Sequence, residues 1–282
     1  MVKNEKNVFY KITEKSAYWI GFIMADGCIH KNKLSLNLSV RDKGHLIKLK
    51  KYLETNNKIS ELNTKAWGKN YKLVRLQVSG AGLIEGLKKY GITQNKSITA
   101  KVDKSLVYNK DFWRGVIDGD GCISLETIKA KNSKIRNSYC YPYISLYGSI
   151  NLINQFCAFL KYVINKNYTN SIKIQKNGYA DIHFGGKNAF KTIDFLYKDS
   201  ITFLKRKKKI YLKITKSIEN KKMFIGAVRK LDKEKVIDIR KYWEENKEGK
   251  TEKVIDFLSR RYNVSKRLIG DVVYNKEWRN EN

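Results

Sequence analysis

The sequence predicts an α+β fold in which one αββαββα unit occurs twice about a pseudo-twofold axis, followed by a small all-helical domain. Two observations lead to this prediction: a segment near the start of the chain recurs 94 residues later, from Trp19 to Trp113, and similar patterns follow both copies. We expect the first half to span 8–104, the second half 105–219 and the helical domain 220–282.

Each half is predicted to open with the repeated segment as a helix. AYWIGFIMADGCIH (Ala17–His30) and DFWRGVIDGDGCISL (Asp111–Leu125) share Trp, Gly, Asp, Gly, Cys and Ile at the same offset. Small residues recur at helical spacing in both copies, namely Ala17, Gly21 and Ala25, and then Gly115 and Gly119. Because small residues let two helix backbones approach closely, we expect the two repeated helices to pack against each other.

Alternating apolar residues predict the strands that follow, with helices between them. In the first half these elements are Leu34–Val40, Lys43–Glu54, Ile59–Asn63, Lys72–Val78 and Ser79–Gly91. In the second half they are Tyr143–Tyr147, Asn151–Val163, Ile172–Gln175, Tyr179–Phe184 and Gly185–Asp199. About a dozen extra residues in the second half lie in the polar run Glu126–Pro142, which we expect to be an insertion.

Helical patterns also cover most of the chain after the second half. The basic stretch Leu204–Ile214 ends that half, and Asp232–Trp243, Thr251–Tyr262 and Lys266–Tyr274 follow it. Asn263–Val264 reads as a tight turn, and Ser265 is a suitable N-cap. The arrangement is typical of a helix-turn-helix, in which Ser265, Lys266 and Arg267 would contact DNA. A structural three-helix bundle is the alternative.

The charge of the chain indicates a polyanionic partner. Lys and Arg number 58 against 27 Asp and Glu, a net charge of +31. A coding bias towards A and T would favour lysine over arginine, but it would not explain why acidic residues are so few. With no apolar run of membrane-spanning length and no signal peptide, we expect a protein of the cytoplasm, or of an organelle matrix if the gene is organellar. Four unpaired cysteines and three histidines argue against a disulfide framework or a zinc site.

Each repeated helix ends in an aspartate, Asp26 or Asp120, followed by a glycine that we expect to stop the helix. An acid at a helix C-terminus is unfavourable by about 0.3–1 kcal/mol, yet both copies carry one. If the helices pair, the two carboxylates lie together and require a cation. Oxygen ligands without a paired His or Cys set suit Mg²⁺ or Mn²⁺, which phosphodiester hydrolysis uses.

The two motifs, WIGFIMADG (Trp19–Gly27) and WRGVIDGDG (Trp113–Gly121), resemble the signature motifs of the LAGLIDADG homing endonucleases. The resemblance covers residues 10–215, and two motifs in one chain resemble the monomeric branch. Motif one departs at Met24, where the family often has an acid. The resemblance implies a saddle of two sheets on double-stranded DNA with a long asymmetric site, and cleavage of both strands across the minor groove with short 3′ overhangs.

The resemblance also implies which residues form the site. The metal site is expected at Asp26 and Asp120 with the preceding Ala25 and Gly119, and Lys187 and Gln77 are candidates for basic or amide groups that polarise the phosphate. On the polar faces of the predicted sheets, the candidate DNA contacts are Ser35, Asn37, Ser39, Arg75, Gln77 and Lys173.

Two other functions stay open at this point. Proteins similar to this family assist intron splicing, which would make intron RNA a partner, and others regulate transcription with a degenerate core joined to a helix-turn-helix. The presence of both acids favours DNA cleavage. An intein is not expected, because a nucleophilic first residue and a terminal His-Asn pair are missing.

Overall fold

The computed structural model describes residues 8–66, 68–129, 138–219, 231, 233–247, 251–262 and 264–274. The chain forms two compact units, Met1–Ile225 and Gly226–Asn282, and each has its own hydrophobic core. Both predicted halves lie in the first unit and share one core. The fold class is α+β, as predicted: ten α-helices and two four-stranded antiparallel sheets occur in the described part of the chain.

The first half follows the predicted order of elements. Its helices and strands are α1 (Glu14–Asp26), β1 (Gly27–His30), β2 (Lys33–Ser39), α2 (Lys43–Tyr52), β3 (Ile59–Ala66), β4 (Lys69–Ser79) and α3 (Ala81–Lys88). The strands pair in the order β1-β2-β4-β3. Thr13 and Ser16 form a reciprocal capping box that fixes the start of α1.

The second half repeats this order. Its elements are α4 (Lys110–Gly119), β5 (Gly121–Lys129), β6 (Ser138–Ser149), α5 (Ile150–Val163), β7 (Ile172–Ile174), β8 (Tyr179–Gly185) and α6 (Gly186–Tyr197), after which α7 (Lys205–Glu219) packs on α6 and β5. The strand order is β5-β6-β8-β7, equivalent to that of the first sheet.

The two halves differ in the lengths of their hairpins. In the second half, the residues on either side of 130–137 extend the hairpin of β5 and β6, in which Lys129 pairs with Ser138. In the first half the long hairpin is instead β3–β4, which pairs from Ile59 to Ala66. The β-branched Thr127 and Ile128 and the aromatic Tyr139 and Tyr141 favour strands on the two sides of residues 130–137.

Helices α1 and α4 pack directly against each other, as the small residues predict. A Cβ added to Gly21 would overlap the carbonyl oxygen of Phe112, and one added to Gly115 would overlap the carbonyl oxygen of Tyr18. The glycines therefore allow backbone-to-backbone contact along the seam between the halves.

Both repeated helices end at the motif acids, before the glycine that follows each acid, as predicted, although the glycine does not take the left-handed conformation of many helix stops. Gly27 has an extended backbone with φ −81° and ψ 140°, so it is not a left-handed helix stop. A Cβ on Gly27 would lie 2.6 Å from Ile23 Cγ2, and a Cβ on Gly121 would lie 2.7 Å from Ile117 Cδ1. Both positions need glycine because the chain turns from helix to strand so tightly that a Cβ would clash with the last turn of the helix.

The second unit contains α8 (Lys233–Asn246), α9 (Thr251–Arg261) and α10 (Lys266–Val273). Their apolar faces form a small core that includes Ile239, Leu258, Ile269 and Val272. Ser265 caps α10 by accepting a hydrogen bond from the backbone N–H of Leu268, as predicted from its sequence position. Of the predicted turn, Asn263 lies outside the described residues.

Within the described residues, every helix is too short or too polar to cross a lipid bilayer.

Candidate active site

The C-terminal ends of α1 and α4 bring the two motif acids to one place. Asp26 is the last residue of α1, and Asp120 is the C-cap of α4. A Cβ on Gly119 would overlap Ala25 Cβ and lie 3.3 Å from Oδ2 of Asp26. The four residues expected at the metal site, Ala25, Asp26, Gly119 and Asp120, therefore cluster at the end of the helix seam.

The environment of the two carboxylates disfavours their charged forms. Burial, and next the neighbouring Asp120 carboxylate, raise the pKa of Asp26 to about 7. Asp120 is more exposed than Asp26, but partial desolvation raises the pKa of its carboxyl as well. Near neutral pH the pair is thus only partly ionised, and a cation placed between the carboxylates would favour loss of the remaining proton.

Two buried lysines flank the acids. Lys207 of α7 is 1% exposed and donates hydrogen bonds to the carbonyls of Ile117, Asp118 (2.9 Å) and Gly121 (2.6 Å). Lys96, in the connection between the halves, is 8% exposed and lies 3.4 Å from the carbonyl of Ala25.

The positive charges of both lysines oppose the rise in the pKa values of Asp26 and Asp120. Burial in turn lowers the pKa of Lys207 to about 8 and also lowers the pKa of Lys96. The acids and lysines therefore form one electrostatic cluster at the end of the seam.

From the sequence, Lys207 belongs to the basic run Lys205–Lys209, which predicts a phosphate contact or a solvated helix face and not a buried lysine, and Lys96 is not singled out. Lys207 had a detectable signal, since it precedes Tyr211 and Ile214 at helical spacing and all three are buried on one face of α7. A lysine on an apolar helix face needs a polar partner inside the protein. Lys96 lies in an irregular segment, and its sequence context carries no such pattern.

A cavity of about 230 Å³ opens beside the acids. Its lining includes Ala25, Lys96, Asp120, Tyr147 and Tyr179. The two tyrosine rings stack at 5.2 Å with an interplanar angle of 12°. A polar group bound in this cavity beside Asp120 would therefore lie near the Lys96 ammonium and the two tyrosine rings.

A buried network joins the two halves behind the acids. Asp118 accepts hydrogen bonds from Tyr18 (2.7 Å), Tyr197 (2.6 Å) and the backbone N–H of Leu204 (2.7 Å). The Tyr18 hydroxyl also lies 2.9 Å from Nε2 of His45. Since the Tyr18 proton goes to Asp118, His45 must donate through Nε2, and the network fixes α1 against α4 and α6.

The sheets carry the predicted DNA contacts on the faces turned away from the helices. In the first sheet, Ser35 pairs with Gln77 and Asn37 with Arg75, while Leu34, Leu36, Val74 and Leu76 point into the core. Ser39 shares the outward face. In the second sheet, Lys173 pairs with Asp181 on the equivalent face.

The two basic or amide candidates, Lys187 and Gln77, lie on α6 and β4. Lys187 is the second residue of α6 and is exposed, and Gln77 is exposed on β4. Neither is among the groups that shift the pKa of Asp26 or Asp120, which are Asp120, Lys96, Lys207 and Arg206. The catalytic roles of Lys187 and Gln77 stay predictions.

The predicted contacts of the helical unit differ in how available they are. Lys266 forms an ion pair with Asp256 at 2.7 Å and its side chain is 59% exposed, whereas Arg267 pairs more loosely with Asp271 at 3.9 Å and its side chain is 92% exposed. Ser265 is occupied as the N-cap. Arg267 is therefore the most available of the three.

The donor atoms around the carboxylate pair determine which metal ion it suits. In the part of the chain that the structure describes, no cluster of three or more His, Cys, Asp or Glu side chains could hold a metal. The donor set at the seam is two carboxylates and backbone carbonyls. Mg²⁺ commonly binds through one or two carboxylates together with water and substrate phosphate, so this set fits Mg²⁺ or Mn²⁺.

Comparison with known proteins identifies the fold. No protein-family profile and no curated protein matches the sequence. Solved structures do match: the LAGLIDADG meganuclease I-AabMI bound to uncleaved DNA is 16% identical, covers 76% of this chain and 94% of its own, and has a TM-score of 0.50. The I-LtrWI LAGLIDADG homing endonuclease bound to target DNA is 14% identical over 74% and 92%, with a TM-score of 0.50.

A third similar structure is I-SmaMI bound to uncleaved DNA in the presence of calcium ions. It is 13% identical over 75% of this chain and 93% of its own, with a TM-score of 0.50. At these identities the likeness concerns the fold. The chain has the fold of LAGLIDADG meganucleases, with two pseudo-symmetric halves.

Proposed function

We propose that this protein is a site-specific homing endonuclease of the LAGLIDADG type, which hydrolyses one phosphodiester bond in each strand of a long asymmetric DNA site across the minor groove and leaves short 3′ overhangs. The observation that carries the proposal is the cluster of Asp26 and Asp120 at the end of the α1–α4 seam, one acid from each half. Because a single chain supplies both acids, we expect the protein to act as a monomer.

Several features favour double-stranded DNA as the substrate. The net charge of +31 suits a polyanion, and the outward sheet faces carry hydrogen-bonding side chains that suit base edges. Similar structures were solved with DNA bound.

The acids would hold Mg²⁺ or Mn²⁺, together with the carbonyls of Ala25 and Gly119. When bound, the ion supplies charge stabilisation for a phosphate oxygen and lowers the pKa of water. The protein itself brings the carboxylates together on two helices that cannot move independently, because the Asp118 network and the glycine contacts fix the seam. This rigidity is what positions the reacting groups.

Lys96 and Lys207 would balance the charge at the site. Each lies close enough to the acids to oppose the rise in their pKa values, and Lys207 is held by carbonyls at the end of α4. With DNA bound, Lys96, which lines the cavity together with Asp120, would stabilise negative charge that develops on phosphate. The helical unit would add affinity through α10, chiefly through Arg267.

The test is DNA cleavage by Asp120→Asn. The amide keeps the size of the side chain but removes the charge that a divalent ion needs, so cleavage of selected sites in Mg²⁺ should fall at least 100-fold, while binding in Ca²⁺ should change less than threefold. The matched control is Glu219→Gln, which removes one charge from an exposed residue at the end of α7 and should cleave normally.

The sites would come from a randomised duplex library incubated with the wild-type protein. Cleavage by Asp120→Asn at the wild-type rate would refute the role of the acid. Failure of the wild-type protein to cut any library member in Mg²⁺ or Mn²⁺ would refute the function.

A further inference from the structure

The strand registers show which outward-facing residues of the two sheets are equivalent. In each sheet, the glycine after the motif acid pairs with a leucine on the neighbouring strand, β2 or β6. That leucine pairs in turn with a buried aliphatic residue on the next strand of the sheet, β4 or β8. These sets are Gly27–Leu36–Leu76 and Gly121–Leu146–Ile182. Positions counted from these anchors therefore correspond between the halves.

One position before the buried aliphatic residue, the two halves carry opposite charges. The first half has Arg75 and the second half has Asp181. Their partners on the second strand also differ, since Arg75 pairs with Asn37 and Asp181 pairs with Tyr147. Because side chains alternate along a strand, both charged residues point away from the helices.

Arg75 is arranged to contact a pair of acceptors. Its Nε donates a hydrogen bond of 2.8 Å to Oδ1 of Asn37, which orients the guanidinium and leaves both terminal nitrogens for another partner. In the major groove, guanine presents two acceptors, O6 and N7, that match this geometry.

Asp181 is arranged as an acceptor. Its Oδ1 accepts a hydrogen bond of 2.6 Å from Nε2 of Gln175, and its Oδ2 lies 3.8 Å from Nδ1 of His183. Its side chain keeps 23% of its surface accessible. A carboxylate at this position repels phosphates and guanine acceptors, but it accepts from the amino group of cytosine or adenine.

The acid also indicates what this pair of positions contacts. An aspartate is unsuited to contact the phosphates of the DNA backbone, because such a contact requires a hydrogen-bond donor or a cation. Because Asp181 is equivalent to Arg75, the position favours base edges over the backbone in both halves.

We propose that Arg75 and Asp181 are specificity-determining residues that make the target non-palindromic at one pair of mirrored positions. Arg75 selects guanine in the first half-site, and Asp181 selects a base with a major-groove amino group in the second. This inference rests on the proposed function and specifies how the same DNA surface chooses its site.

The experiment selects bound sequences from a randomised duplex library in Ca²⁺, using the full chain. Wild-type protein should enrich an asymmetric site. Arg75→Ala should lose the guanine preference at one position, by about 10-fold to 100-fold, and leave the mirrored position unchanged. Asp181→Arg should create a guanine preference at that mirrored position.

Asp181→Asn provides a conservative variant, because it keeps the side-chain shape and should only weaken the selection for an amino group. The matched charge control is Glu219→Arg, which changes the charge by the same amount as Asp181→Arg on an exposed residue of α7. It should raise affinity for all sequences together and leave base preference unchanged.

The inference is overturned if Asp181→Arg behaves like Glu219→Arg, or if Arg75→Ala weakens binding equally at every sequence. Either result leaves the proposed endonuclease function standing. If the wild-type protein enriches no sequence, the proposed function and this inference fall together.

Discussion

Replacing Gly115 by alanine tests whether the two motif helices touch through their backbones. The new Cβ would overlap the carbonyl oxygen of Tyr18 and lie 2.7 Å from the backbone nitrogen of Phe22, below the 3.0 Å that real Cβ atoms keep. These are backbone atoms of α1, so the helices must separate. Overpacking of this kind costs about 1–3 kcal/mol, which outweighs the gain of about 1 kcal/mol from replacing a helical glycine by alanine.

Separation of the helices also displaces Asp26 relative to Asp120, because each acid ends one of them. A misplacement approaching 1 Å can reduce catalysis by about 100-fold. We therefore expect Gly115→Ala to lower the free energy of unfolding by up to about 2 kcal/mol and to reduce cleavage far more than DNA binding.

The assay is urea unfolding together with cleavage in Mg²⁺ and binding in Ca²⁺. The matched control is Gly44→Ala on α2, where an added Cβ has nothing within 4 Å. That substitution should raise stability by about 0.5–1 kcal/mol and leave cleavage unchanged. If Gly115→Ala were as stable and as active as Gly44→Ala, the close packing of the seam would be refuted.

Three further predictions concern buried polar groups. Tyr18→Phe removes one hydrogen-bond donor to Asp118 and the acceptor for His45 Nε2, so the free energy of unfolding should fall by about 1–3 kcal/mol. The control is Tyr10→Phe, at a residue that is 78% exposed, which should leave the free energy of unfolding nearly unchanged. Burial lowers the pKa of His45 from 6.5 to about 3, so between these pH values the imidazole is protonated in the unfolded chain and neutral in the folded chain. This difference lowers the free energy of unfolding by about 2 kcal/mol at pH 5. The free energy of unfolding should therefore depend less on pH in His45→Gln than in the wild-type protein, and an equal dependence would contradict the assignment. Because the pKa of Asp26 is about 7, Mg²⁺ must displace a proton from this carboxyl below that pH. Calorimetry in buffers of different ionisation enthalpy should therefore show that Mg²⁺ binding releases more protons at pH 6 than at pH 8. The same release by Asp26→Asn would contradict this prediction.

The fold and the acid pair could be predicted because a duplication leaves its register in the sequence. Trp19 and Trp113 fixed the offset, and the shared small residues predicted the helix contact that Gly21 and Gly115 make. The hairpins were harder to predict, because local alternation does not show where a strand ends: β5 continues to Lys129 and β6 begins at Ser138, both within the run that the sequence marks only as extra polar residues.

The charges around the acids could not be predicted in the same way. Lys187 was chosen because it lies at the turn before a helix, and its role stays a prediction. The structure adds Lys96 and Lys207, whose charges oppose the rise in the pKa values of Asp26 and Asp120. Lys207 is separated from Gly121 by 86 positions in the chain, and only the packing of α7 against the second half brings its ammonium to that carbonyl.

The sequence by itself determined the two halves, the two helices that join them and the acid that ends each helix, because these follow from periodicity and repetition along the chain. The tertiary structure decided which lysines meet the acids and that Arg75 of one sheet is equivalent to Asp181 of the other. The physical reason is that electrostatic interaction depends on distance in space and on burial, and both are set by how α7, the connecting segment and the strand registers pack rather than by position in the chain.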